Sequence, residues 1–218
     1  VAFGQAYVVL TAGIDLSVGS TVALVSVVAA MAMGNGLLFA VVVALAVGAL
    51  VGLANGLVIT RLRVAPFIAT LAMLSIAAGL ALNVSGGTPI VGLPTEFTSL
   101  AYNKVFGVPM PVILAVIVFV FAYFVLRATR LGRNIYATGG NAEAARLSGI
   151  RTRATILSTY VICSILAAIG GLILTSRVAS GQPSLGTDLA LQSVAAVVLG
   201  GVSLFGGRGH LVGVAFGV

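Results

Sequence analysis

Five stretches of this chain carry no charged side chain: residues 16–60, 64–95, 105–126, 154–176 and 189–207. A soluble domain presents about one charged residue in four to water, whereas here charged residues make up 7% of 218 and hydrophobic residues 60%. About 20 apolar residues in helical form cross the roughly 30 Å of bilayer hydrocarbon with every backbone polar group satisfied internally. The runs therefore predict an all-α fold, a polytopic transmembrane helix bundle, as a single unit over 1–218. The first run is long enough for two spans, with Gly34-Asn35-Gly36 as the turn between them. Spans are expected near 18–33, 37–59, 64–85, 111–127, 154–175 and 189–206. Residues 1–12 read as the end of an earlier span and 211–218 as the start of a later one, so the chain is expected to be a fragment, truncated at both ends.

Charge gives the orientation. Residues 127–153 hold six arginines against one acid, Glu143. Lys and Arg accumulate in cytoplasmic loops, so 127–153 is read as a cytoplasmic loop. Counting outward from it leaves Arg61, Arg63 and Arg208 inside, and only Lys104 and Arg177 outside. The net charge of +7 is thus explained by topology, and no nucleic acid is expected as a partner. Segments 86–110 and 177–187 should face outward. The first, with Pro89, Pro94 and Pro109, reads as an irregular cap.

Ala40, Ala44, Gly48, Gly52 and Gly56 recur every four residues and form a stripe on which a second helix can pack closely. Gly13-Ile14-Asp15-Leu16 resembles Gly186-Thr187-Asp188-Leu189. Each precedes an apolar run and the two runs cross in opposite directions, as in an inverted repeat.

No catalytic residue is predicted. The only lysine, Lys104, follows Tyr102-Asn103 rather than the glycines of a phosphate-binding loop. One histidine and four scattered acids suggest neither a metal site nor a cofactor. Cys163 stands alone in an apolar run and reads as packing. Asp15 and Ser17 lie where Gly13 and Gly19 break a helix, and broken helices at membrane depth are buried in protein or line a cavity. Asp15 either lines a transport pathway, as intramembrane acids often do, or caps the helix that follows. The same two readings hold for Asp188.

Residues 141–150 read as a short helix. Asn141 suits its N-cap, Glu143 its first turn and Gly149 its C-terminal stop. Glu143 and Arg146 can pair across one turn. A helix this short is marginal alone, so it rests on its own bundle or docks on another protein.

Taken together, these segments resemble the permease subunits of bacterial monosaccharide ABC importers of the ribose/xylose/galactose type. The matching strings are Thr11–Ser20, Pro66–Leu82, Gly132–Ile150 and Ala195–Gly209, in the family's order. Branched-chain amino acid permeases share the broader fold and match the strings less well. The chain departs from the sugar family at Ala78, where arginine is often found. The resemblance implies a bacterial inner-membrane protein that carries a sugar by alternating access. It implies a cytoplasmic ATP-binding subunit, a periplasmic or extracellular sugar-binding protein, and a homodimer or a related second permease within the membrane lipid. ATP hydrolysis would then belong to the separate subunit. It also implies that Gly139, Gly140, Asn141, Glu143, Ala144, Arg146, Leu147, Gly149 and Ile150 form the coupling segment that docks on the ATPase. The rival readings are a branched-chain amino acid ABC permease and an ion-coupled secondary transporter. A docking segment has no use in the latter.

Overall fold

The computed structural model describes residues 1–217; Val218, the last residue of the expected later span, lies outside the described residues. In chain order the helices are α1 (Ala2–Leu10), α2 (Val18–Ala32), α3 (Leu37–Arg61), α4 (Pro66–Ser85) and α5 (Thr95–Tyr102). A two-residue hairpin, β1 (Lys104–Val105) and β2 (Val108–Pro109), leads to α6 (Met110–Ala128), α7 (Arg130–Gly140) and α8 (Ala142–Leu147). Next come α9 (Thr152–Val178), α10 (Leu189–Leu199) and α11 (Leu211–Gly217). Residues 18–35, α3, α4, α6 and α9 are each long and apolar enough to cross a membrane. Their ends fall where turn chemistry dictates. Gly36, at φ +107°, follows a 3₁₀ turn over Met33–Asn35, Pro66 opens α4, and Gly86 closes it in the left-handed conformation.

α2 is the axis of the bundle: every residue of it except Val28 and Met31 is buried. α3, α4 and α9 pack around it. The small-residue stripe does what its spacing predicts. Ala40, Ala44, Gly48, Gly52 and Gly56 are all buried on α3, and the three glycines face α9 backbone or Cβ atoms at Ser164, Ala168, Tyr160 and Leu157. The opposite face of α3 presents large apolar side chains outward, among them Leu38, Val42 and Leu50, as a lipid-facing surface requires. α6 is likewise mostly outward-facing, with Val116, Ile117, Val120, Phe121 and Phe124 exposed.

Three expectations are corrected. The span expected at 189–206 is an 11-residue helix ending at Leu199, followed by a glycine-rich loop. The connection at 177–187 is not confined to one end of the bundle. Gly181 lies against Ser26 and Ala30, and Gly186 against Val22 and Gly19, so the segment descends along α2. From Ser26 to Gly19 is about 10 Å of helix at 1.5 Å per residue. Such a descent needs its backbone satisfied by protein, and the Ser26 hydroxyl accepts the Gln182 N–H at 3.1 Å. The third correction concerns residues 86–110, which form a built cap rather than an irregular one. α5 buries Phe97, the Ser176 hydroxyl donates to the Phe97 carbonyl at 2.7 Å, and Tyr102 donates to the Arg177 carbonyl at 2.7 Å. Ile90 and Gly181 exchange both backbone hydrogen bonds at 2.8 Å.

Candidate functional site

Two breaks in helical structure meet beside α2. The first separates α1 from α2. Thr11 and Ala12 leave α1 in a turn, and Ala12 adopts φ +59°, a region that a Cβ disfavours. Gly13 follows where a Cβ would stand 2.5 Å from the Tyr160 hydroxyl. Asp15 is fully buried. Its Oδ1 accepts from the Ser17 N–H at 2.9 Å and the Ser17 hydroxyl at 2.6 Å. The Ser17 Oγ in turn accepts from the Asn55 side-chain amide of α3 at 2.9 Å. The Gln5 amide lies 3.1 Å from both the N–H and the C=O of Asp15 and, with its oxygen toward the N–H, satisfies both. A carboxylate, a hydroxyl and two amides from α1, α3 and the break thus fix a segment that has no helical hydrogen bonds of its own. Asp15 thus makes a side-chain turn onto Ser17, the residue at the N-cap position of α2, and has no exposed surface. Its Oδ2 and the Tyr160 hydroxyl are left without partners among the described residues.

The second break is the descending segment before α10. Asp188 occupies the N-cap position of α10, but its side chain accepts no capping hydrogen bond and is exposed. A Cβ on Gly19 would stand 2.5 Å from the Gly186 carbonyl oxygen, so the two breaks touch. The structure brings Ser17 and the Asp188 segment to the same level of the bundle, while Asp15 points away into its own network.

The basic segment holds two helices where one was expected. α7 was missed by sequence reasoning. It begins with Thr129 accepting from the Gly132 N–H at 3.3 Å and buries Gly132, Ile135 and Thr138 while exposing Arg130 and Arg133. The alternation of Ile135 and Thr138 with arginines is the amphipathic signal that was available. α8 follows as predicted. Asn141 Oδ1 accepts the Ala144 N–H at 2.9 Å. Glu143 and Arg146 form a two-point pair at 2.6 and 3.1 Å, and Gly149 turns the chain at φ +84°. The hydrogen bond from Arg146 holds the exposed Glu143 carboxyl below its usual range. Ala145 is buried against the bundle, Ile150 is half-buried, and Leu147 is 74% exposed.

α7 ends on glycines because three backbones converge there. The Gly207 N–H donates to the Leu10 carbonyl at 2.9 Å. A Cβ on Gly139 would overlap that same carbonyl, and one on Gly206 would stand 2.9 Å from the Ala12 N and the Gly139 O. The end of α7, the start of the Asp15 break and the loop after α10 are therefore one junction, with no room for a side chain at Gly139, Gly206 or Gly207.

The long apolar helices, the buried break and the exposed helical loop define a polytopic membrane permease. The whole chain, residues 1–218, matches the family described as "Branched-chain amino acid transport system / permease component", and it belongs to that family of multi-pass permeases of the bacterial inner membrane. It is 44% identical over 222 residues to the ribose import permease protein RbsC of Escherichia coli strain K12, covering 99% of this chain and 69% of that protein. It is 43% identical to the ribose import permease protein RbsC of Bacillus subtilis strain 168, covering 100% and 69%. The D-allose transport system permease protein AlsC of E. coli K12 is 35% identical, covering 100% and 68%. No solved structure matches the chain.

Proposed function

We propose that this chain is the membrane-spanning subunit of an ATP-driven importer that moves a monosaccharide inward by alternating access. It works with a cytoplasmic ATP-binding subunit that carries out hydrolysis, and with a sugar-binding protein on the outer side. A second copy of the chain, or a related permease, completes the pathway. The observation that carries this reading is α8, a six-residue helix that turns Ala145 inward and Leu147 outward. Residues 139–150 are its docking segment, with Leu147 as the apolar anchor and Gly139 and Gly140 as the link into the bundle.

ATP-driven closure of the partner would move α8, and the glycine junction would pass that movement to the Asp15 break. Asp15 and Ser17 serve the pathway by holding the break in shape. Asp188, exposed at the level where the breaks meet, faces the cargo. The relatives named for ribose and allose favour a sugar over a branched-chain amino acid. An exposed docking helix has no role in an ion-coupled carrier.

The test is the double substitution Leu147→Ala with Ile150→Asp in the full-length transporter. Truncating one buried apolar anchor typically costs an interface about 2 kcal/mol or more. The ATPase should therefore no longer co-purify, or should stay bound and no longer respond to substrate. Wild-type sugar uptake with the ATPase still attached would refute the reading, and uptake of leucine in place of ribose would refute the cargo.

A further inference from the structure

A cavity of about 900 Å³ lies at the arginine-rich end of the bundle, between the last turn of α6, α7 and the start of α11. Tyr123, Arg127, Arg133, Tyr136, His210 and Val212 are among its lining residues. Its walls are fixed. The Tyr136 hydroxyl donates to the Gly209 carbonyl at 2.9 Å, tying α7 to the loop before α11. Tyr123 stacks on Phe119 with ring centroids 6.1 Å apart.

Among the described residues, neither arginine there is paired with a carboxylate. The chain holds four acids. Glu143 is paired with Arg146, Asp15 is buried beside Ser17, and Glu96 and Asp188 begin α5 and α10 in segments reached from the other end of α9. Two guanidinium groups, the Tyr123 phenol and an imidazole around one cavity are a donor set for phosphate oxygens. A free anion would need nothing more. This cavity, however, is walled in part by α6, whose Val120, Phe121 and Phe124 are exposed apolar side chains. Phosphate donors at the end of a lipid-facing helix suit a molecule with a phosphate head and hydrocarbon tails.

We propose that this cavity binds the headgroup of an anionic phospholipid, with the phosphate between Arg127 and Arg133 and the acyl chains along α6. Nothing in the transport reading requires this site, and the proposal borrows from that reading only the leaflet, the cytoplasmic one.

The test uses the full-length permease, purified and placed in nanodiscs that contain phosphatidylcholine with a minor share of phosphatidylglycerol. Native mass spectrometry counts the lipid that stays with the protein after release. Wild type should retain phosphatidylglycerol in preference to phosphatidylcholine. A basic residue near an anionic surface is worth about fivefold in affinity, so Arg127→Gln with Arg133→Gln should weaken retention by roughly 25-fold. Val212→Trp puts an indole into the cavity and keeps both arginines, and it should also weaken retention. Arg151→Gln with Arg153→Gln lies outside the cavity and should change nothing. Equal losses in that control would mean general surface attraction and would overturn the site. Retention unchanged in both cavity variants would overturn it too. Displacement of the lipid by millimolar inorganic phosphate, with no preference between the two lipids, would assign the cavity to free phosphate instead. ATPase co-purification, measured on the same samples, reports on the transport reading separately.

Discussion

Gly52 sits where α3 and α9 come closest, and one added methyl group there tests the packing of the whole bundle. A Cβ at Gly52 would stand 2.5 Å from the Tyr160 carbonyl oxygen, 2.7 Å from the Val161 Cα and 2.9 Å from the Tyr160 carbonyl carbon. Ordinary contact begins near 3.4 Å, so Gly52→Ala must part the helices locally by about 0.9 Å. All three obstacles are backbone, so no rotamer change relieves them. Overpacking of this kind costs about 1–3 kcal/mol. Against it stands about 1 kcal/mol gained when alanine replaces glycine in a helix. With three backbone clashes the cost falls at the upper end, and a net loss of roughly 1–2 kcal/mol is expected. Gly79 on α4 is the control, because nothing lies within 4 Å of its built Cβ. Gly79→Ala should gain about 1 kcal/mol. The two substitutions then differ by about 2–3 kcal/mol, a factor of roughly 30–150 in the folding equilibrium. Equilibrium unfolding of the purified protein in mixed micelles, titrated with a denaturing detergent, measures the difference. Equal stability of the two variants would refute the close-packed seam.

Three further outcomes are expected. Asp15→Asn keeps the oxygen that Ser17 bonds, so protein level, ATPase association and sugar uptake should stay within about twofold of wild type, as cap chemistry allows; Asp15→Ala should lose expression, and selective loss of uptake in the Asn variant would show that the charge itself acts on the cargo. Gly139→Ala should leave the ATPase bound but uncouple hydrolysis from uptake, while Gly140→Ala, whose Cβ meets nothing within 4 Å, should behave as wild type; equal behaviour of the pair counts against the junction. A cysteine placed at the exposed Ser148 should react with an impermeant thiol reagent only from the cytoplasm, and the buried Cys163 should stay silent; labelling of Ser148→Cys from outside intact cells would reverse the topology.

How far the chain could be read depended on whether the physics was local. α3, α4, α6 and α9 begin and end within three residues of where uncharged runs, Pro66 and Gly36 place them, because spanning a bilayer is a demand made on each segment alone. The Asn141 cap and the Glu143–Arg146 pair were legible for the same reason. α7 was not, since Gly132, Gly139 and Gly140 are poor helix formers in isolation. Gly132 and Gly139 are required there because Leu126 and Leu10 backbone occupies the space of their missing side chains. The short α10 was overextended because lack of charge cannot distinguish a helix from a glycine-rich loop that neighbouring protein covers. Asp15 was recognisable as unusual, but its partners Gln5 and Asn55 lie on other helices, and nothing in their spacing announced them.

The descending segment before α10 also sets an order of assembly. Ser26 receives the Thr175 hydroxyl at 2.8 Å and the Gln182 N–H at 3.1 Å, from residues synthesised about 150 positions later. At the 5–20 residues per second of translation, α2 spends roughly 8–30 s in the membrane with this polar flank open. Residues 179–188 cannot wait in hydrocarbon, because irregular backbone there has no partners. They can enter only a groove already shaped by α2 and α9. Biogenesis of the chain therefore includes an insertion step that no hydropathy of the segment drives, and the vacant groove is where a membrane chaperone or a stray helix would find its opportunity.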